Sequence, residues 1–199
     1  MQNPTYENIP GNYYDKFNAS NPAVRWIMRG FRHGLQDLLA QTTYQRVLEI
    51  GCGEGHIQAL LQMPGSLASD IDLDILIMAR QRFAATHYFL ADGTAMPLPS
   101  GAFDLVLAIE VLEHVPAPER LLREAIRLSQ RYCIFSVPRE PLWRALNMAR
   151  GKYLAAWGNT PGHINHWSTN AFLDFVASQA QIVAHSQPFP WTMVLCEVN

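Results

Sequence analysis

Apolar and polar positions along the chain follow two alternating rhythms. Short runs rich in apolar residues, Arg46 to Ile50, Ser66 to Ser69, His87 to Leu90, Phe103 to Ala108 and Tyr132 to Val137, predict strands. Between them, His56 to Gln62, Leu73 to Ala85 and Pro118 to Leu128 read as helices. Upstream, Val24, Ile27, Met28, Phe31, Leu35, Leu38 and Leu39 recur at helical spacing, while Arg25, Arg29, Arg32 and His33 fall toward the other side. This predicts a helix opened by Pro22 and laid against a sheet. Alternation of strands and helices means a mostly parallel sheet with crossover helices, an α/β fold. Ser168 is a candidate N-cap for a helix to about Ser178, and Gln181 to Ser186 and Thr192 to Val198 predict two last strands. The turn at Pro188 and Pro190 favours pairing these antiparallel.

The first strand runs into V-L-E-I-G-C-G-E-G, Val47 to Gly55. Gly51, Gly53 and Gly55 remove every Cβ that would keep a ligand from bare backbone, and the following helix turns its first N–H groups toward the loop. A dinucleotide loop wants G-x-G-x-x-G; here His56 stands where the third glycine would be, which disfavours NAD. Asp70 follows the second strand, where a carboxylate can accept both hydroxyls of a ribose. Asp92 follows the third, where it can accept from the exocyclic amine of adenine, with the Gly93 and Thr94 N–H groups free to meet a ring nitrogen. Both aspartates could instead be turn or helix caps, and Asp72 is read as the cap of the helix beginning at Leu73. Glu49 could be a buried carboxylate bonded only to loop N–H groups, or could face a cationic ligand that offsets its burial.

These blocks resemble class I S-adenosylmethionine-dependent methyltransferases of the small-molecule type related to the ubiquinone and menaquinone biosynthesis enzymes. The resemblance rests on E-I-G-C-G-E-G at Glu49 to Gly55, S-D-I-D at Ser69 to Asp72, A-D-G-T-A-M-P-L-P at Ala91 to Pro99 and F-D-L-V-L-A-I-E-V-L-E-H-V at Phe103 to Val115. It implies a Rossmann-like seven-stranded sheet, strand order 3-2-1-4-5-7-6, helices on both faces, and S-adenosylmethionine at the carboxyl ends of the strands. It further implies that Asp70 binds the ribose, Ile71 packs on the adenine, and Asp92 with Gly93 and Thr94 holds the polar edge of the base. Gly51 and Ile109 would offer carbonyls to the methionyl ammonium above Glu49, within a loop completed by Cys52 and Gly53. Ile109 stands where a small polar residue is common, so only a backbone contact survives there. Tyr13 and Tyr14 are candidates to reach the methionyl carboxylate, or to serve in packing.

Composition narrows the class. At 199 residues and 49% hydrophobic, one domain over 1–199 is expected, with 1–40 as an N-terminal lid and helix and 139–167 as an acceptor-side lid. A net charge of -2 argues against a nucleic-acid footprint. Cys52, Cys133 and Cys196 are odd in number, far apart in sequence and without C-x-x-C spacing, so neither disulfides nor a zinc site are expected. A reducing cytoplasm fits this usage, and no leader or membrane span is read.

Methyl transfer asks mainly for positioning of donor carbon and acceptor atom about 3–3.5 Å apart. A hydroxyl acceptor also gains from a base. Among seven histidines, His114 and His163 are the candidate bases, the latter in G-H-I-N-H-W, which resembles a segment entering the acceptor pocket of many relatives. Their alternatives are a helix cap and a loop histidine; His166 is a third candidate and Trp167 a pocket wall. Basic charge interleaved with large apolar groups over 139–152 suits an anionic, lipid-linked acceptor or a peripheral membrane contact, or else a lid with a solvated face. No metal is expected. The resulting expectation is an S-adenosylmethionine-dependent methyltransferase acting at oxygen on a small-molecule or lipid/sugar-linked acceptor. Its rivals are a non-catalytic S-adenosylmethionine-binding regulator and a nucleic-acid methyltransferase, the latter disfavoured because I-E-V-L stands where an N/D-P-P-Y/F segment would be.

Overall fold

The structure is a computed structural model that describes residues 20–198. Its elements run α1 (Pro22–Leu39), β1 (Val47–Ile50), α2 (His56–Leu61), β2 (Leu67–Asp70), α3 (Leu73–Arg82), β3 (His87–Leu90), β4 (Phe103–Ile109), α4 (Pro118–Leu128), β5 (Ser129–Pro138), α5 (Leu142–Ala149), α6 (Thr169–Ala177), β6 (Gln181–Ser186) and β7 (Trp191–Glu197). One seven-stranded sheet has the order β3-β2-β1-β4-β5-β7-β6. β7 is antiparallel to both of its neighbours, and the other pairs are parallel. This is the order the resemblance implied.

Side-chain alternation sorts the central strands onto two cores. Leu48, Ile50, Val106, Ala108, Phe135 and Val194 pack with Leu121 and Phe172 beneath α4 and α6. Val47, Leu105, Leu107, Ile134 and Leu195 pack with Phe31, Leu35 and Leu38 of α1 on the opposite face. Burial on both faces explains why these strands read as nearly continuous apolar runs. The edges behave differently: β6 alternates exposed and half-buried residues, and β3 is short.

Local signals mostly hold. Asn21 caps α1, Asp72 caps α3 and Ser168 caps α6, each accepting from N–H groups of the first turn. The helix expected to reach Ala85 stops at Arg82, because Phe83 leaves helical geometry. Cys133 and Cys196, distant in sequence, face each other in the β5–β7 register, and all three cysteines are free and buried.

β1 lies between β2, reached through α2, and β4, so the chain reverses its direction of progress across the sheet between β1 and β4. In open α/β sheets such a reversal leaves a crevice at the carboxyl ends of the strands. Four loops meet there: 51–55 after β1, 71–72 after β2, 91–95 after β3 and 110–117 after β4. The Arg139–Trp167 bridge closes the long segment after β5 at its base, and contacts described below tie that segment to the turn after β4.

Candidate cofactor and acceptor site

The glycine loop is fixed by its neighbours. Gly51, Gly53 and Gly55 all have positive φ, and a Cβ on Gly51 would stand 2.6 Å from Val111 Cγ2. At Gly53 a Cβ would meet nothing within 4 Å, so bare backbone there faces open space. The Cys52 N–H donates to the Ser69 carbonyl at 2.9 Å, and its side chain packs with Ala68 and Leu76. Cys52 thus holds the loop from below. Glu54 is 2% exposed and accepts from Arg82 Nη2 at 2.8 Å, while Arg82 Nε donates to the Glu54 carbonyl. That pair latches the loop to α3, a role the sequence reading missed.

Carboxylates surround the opening. Asp70 Oδ2 accepts from the Gly53 N–H at 2.9 Å and Oδ1 from the Asp72 N–H at 3.1 Å. Burial raises its pKa, against the lowering by these N–H groups. Each oxygen has further lone-pair capacity. Ile71 is 73% exposed beside it, an apolar face with no protein cover among the described residues. Asp92 is exposed and held below the usual carboxylate range by the Thr94 N–H and hydroxyl, both donating to Oδ1 at 2.8 Å. The Thr94 N–H, expected free for a ring nitrogen, is therefore already used. Gly93 is required because a Cβ would lie 2.5 Å from Ile50 Cγ2.

Glu49 is 1% exposed at the floor of the crevice. Its partner is not a loop N–H but the Gln58 side-chain amide, Nε2 donating at 2.8 Å. Burial pushes its carboxyl up to about 8, with the Gln58 bond pulling down and the charge of Asp70 pushing up. An arriving cation would offset that burial, which fits a ligand carrying both an ammonium and a sulfonium. Ile109 ends β4 with its side chain packed in the α1 core, leaving only its backbone for a ligand.

Opposite the glycine loop, the turn after β4 carries Glu110 at φ 61 and a 3-10 turn, Leu112–His114. The segment after β5 folds onto it. Ile164 and Asn165 N–H groups donate to the Glu113 carbonyl at 2.9 and 3.1 Å, and Asn165 Nδ2 donates to the carbonyls of Leu112 and Val115. These bonds bring His163 to His114, ring centres 4.8 Å apart and nearly perpendicular. Trp143 of α5 stacks on His163 at 6.2 Å. The candidate bases thus come together, though 49 positions separate them.

Other expectations are corrected. Trp167 does not wall the pocket but packs on Phe172 and Phe175 of α6, and Trp143 takes the place beside the histidines. His166 bonds to Asn159 Oδ1 at 2.7 Å, and burial, then the charge of Arg144, lowers its pKa. In the basic stretch, Arg139 donates to Gln187 in the turn before β7, Arg144 to the Trp157 carbonyl, and Arg150 to Asn147. No helix among the described residues is long and apolar enough to cross a membrane. Tyr13 and Tyr14 lie outside the described residues.

Comparison with known proteins agrees with this geometry. Residues 48–135 match a methyltransferase domain family. A probable S-adenosylmethionine-dependent methyltransferase of Mycobacterium tuberculosis is 32% identical over 95 residues, 47% of this chain and 35% of the relative. A malonyl-[acyl-carrier protein] O-methyltransferase of Serratia marcescens is 32% identical over 88 residues, 43% of this chain and 34% of the relative. The chain thus spans about a third of the length of these curated relatives. Magnesium protoporphyrin IX methyltransferase from Synechocystis, solved with bound S-adenosylhomocysteine, superposes with a TM-score of 0.67 at 16% identity, over 94% of this chain and 91% of that one. That likeness carries the fold, and residues 48–135 carry the match to a methyltransferase domain.

Proposed function

We propose that the chain transfers a methyl group from S-adenosylmethionine to an oxygen of a small-molecule or lipid/sugar-linked acceptor. The carrying observation is that open backbone at Gly53, Asp70 beside it and the His114–His163 pair stand at the carboxyl ends of neighbouring strands of one sheet. When bound, S-adenosylmethionine supplies an electrophilic methyl on a sulfonium. Asp70 accepts the ribose hydroxyls with its remaining lone pairs, Ile71 covers one adenine face, and Asp92 with Gly93 holds the polar edge. Gly51 and Ile109 carbonyls accept from the ammonium, with Glu49 beneath.

Across from them, the segment 139–167 acts as the acceptor-side lid, with Trp143 and His163 on its inner face. His163 or His114 takes the proton of a hydroxyl acceptor as the new O–C bond forms; an ionised acceptor needs no base. Oxygen as target draws support from the O-methyltransferase among the relatives. Calorimetry with S-adenosylhomocysteine tests the cofactor half, and labelled methyl transfer to fractionated cell extract tests the reaction. Transfer that is lost on Asp70→Ala supports the proposal. Tight cofactor binding without transfer to any fraction would favour a regulator instead, and absence of binding to folded protein would end both readings.

A further inference from the structure

We propose that Glu113, His114 and His163 form a binding site for one divalent transition-metal ion of the zinc class. The carboxylate and two imidazoles each present a ligand atom, and these atoms all lie within 4.8 Å of one another. Donor atoms on a tetrahedral ion at about 2.0–2.1 Å stand about 3.4 Å apart, so side-chain shifts of under about 1 Å close the set. Two imidazoles ligating one ion place their ring centres about 4.5–5.2 Å apart, given those bond lengths. The observed separation of 4.8 Å falls in that span.

The surroundings prepare these side chains for ligation. His114 Nδ1 lies 3.0 Å from the Gly162 carbonyl, which can only accept, so the ring proton sits on Nδ1 and Nε2 is the lone-pair nitrogen. His163 is 7% exposed and braced by the Trp143 ring, itself tied through Nε1 to Thr160 Oγ1 at 2.9 Å. Glu113 is 1% exposed, and its backbone is pinned by the two N–H bonds from Ile164 and Asn165. A rigid pair of nitrogens and one carboxylate suits zinc, cobalt, iron or nickel, whereas magnesium and calcium want oxygen throughout. Such an ion would depart from the metal-free expectation drawn from the sequence, in which the two histidines lie 49 positions apart.

Three protein ligands leave a coordination position for an acceptor hydroxyl, which the ion would acidify so that its proton passes to water, in place of an unliganded imidazole taking that proton. That role rests on the proposed methyl transfer; binding of the ion does not. Cobalt(II) is the probe, read by its visible ligand-field absorption and by equilibrium dialysis of the full chain. One equivalent should bind, be displaced by zinc and resist displacement by magnesium. His163→Ala, His114→Ala and the near-isosteric Glu113→Gln should each weaken binding at least tenfold, while His87→Ala on the distant β3 edge should not. Circular dichroism and S-adenosylhomocysteine calorimetry on each variant verify folding and report the cofactor half separately. Failure of cofactor binding with cobalt retained would sink only the methyl-transfer reading. Cobalt uptake that is absent in the wild type, unchanged in all three variants or displaced by magnesium would overturn the site.

Discussion

The Trp191 indole donates to Glu110 Oε2 at 2.6 Å, joining the first residue of β7 to the residue that leaves β4. Glu110 needs that anchor because its backbone sits at φ 61, a conformation that costs a side-chain-bearing residue about 1–2 kcal/mol. Ser136 supplies a second hold, its hydroxyl donating to Glu110 Oε1 and its carbonyl accepting from the Glu110 N–H. Trp191 is itself fixed edge-on against Phe31, ring centres 4.8 Å apart. Trp191→Phe removes the donor and also the pyrrole half of a buried indole, and should cost more than the about 1.5–3 kcal/mol of a bond to a charged group in urea unfolding, the cavity adding to it. Glu110→Gln keeps an acceptor and should cost less. Equal midpoints for Trp191→Phe and the wild type would show that the bond holds nothing.

Gly51 and Gly53 separate stability from ligand recognition. Both have positive φ, yet only Gly51 is crowded, with two Val111 methyls inside 3 Å of a built Cβ. Gly51→Ala should lose about 3 kcal/mol or more of stability, combining strain with overpacking. Gly53→Ala should lose only about 1–2 kcal/mol. Its added methyl points into open space that the cofactor backbone contact needs, so affinity for S-adenosylhomocysteine should drop at least tenfold by calorimetry. Unchanged affinity in Gly53→Ala would place the cofactor elsewhere.

These glycines show what local pattern can carry. The loop, the strand ends and the caps at Asp72 and Ser168 were legible because each depends on residues within a few positions of one another. Sheet order came through the ordered motif blocks rather than through hydrophobic period, which says which face a strand buries but not which strand lies next to it. The acceptor side was legible only as single residues. His114 and His163 meet because Asn165 binds the turn at Leu112 and Val115, a contact with no local period. Trp143 rather than Trp167 stands beside the histidines for a related reason: both are aromatic residues near the lid, and only α6 packing decides which enters the core. The Gln58 partner of Glu49 was likewise hidden, since an amide nine residues on reads as a solvent-facing helix position.

The Glu54–Arg82 latch predicts a cost from α3 rather than from the loop itself. Glu54 is nearly fully buried, and its carboxylate meets Arg82 Nη2 at 2.8 Å and His56 Nε2 at 3.4 Å. Arg82→Met leaves a buried carboxylate facing His56. The expected loss is about 2–3 kcal/mol, short of the full penalty for an unpaired buried charge because His56 remains. Adding Glu54→Gln should recover most of that loss, since the neutral amide no longer needs a cation. A double variant as unstable as the sum of the singles would mean the two side chains are not coupled.

Glu49 ties cofactor binding to protons. Burial raises its carboxyl from 4.5 to about 8 in the folded chain. Between those values the folded state keeps a proton that the unfolded state has lost, so stability falls as pH rises through that window, by at most about 1.4 kcal/mol per pH unit. Glu49→Gln should flatten that slope in unfolding measured from pH 5 to 8. A cationic ligand above the carboxyl favours its charged form, so binding should expel the proton. At pH 7, calorimetry in buffers of different ionisation enthalpy should find up to about one proton released per S-adenosylmethionine bound, and affinity should rise between pH 6 and 8. In Glu49→Gln both effects should vanish while some affinity remains through Asp70 and the glycine loop. Proton release that survives this substitution would mean that another group titrates, and that Glu49 does not sit beneath the ammonium.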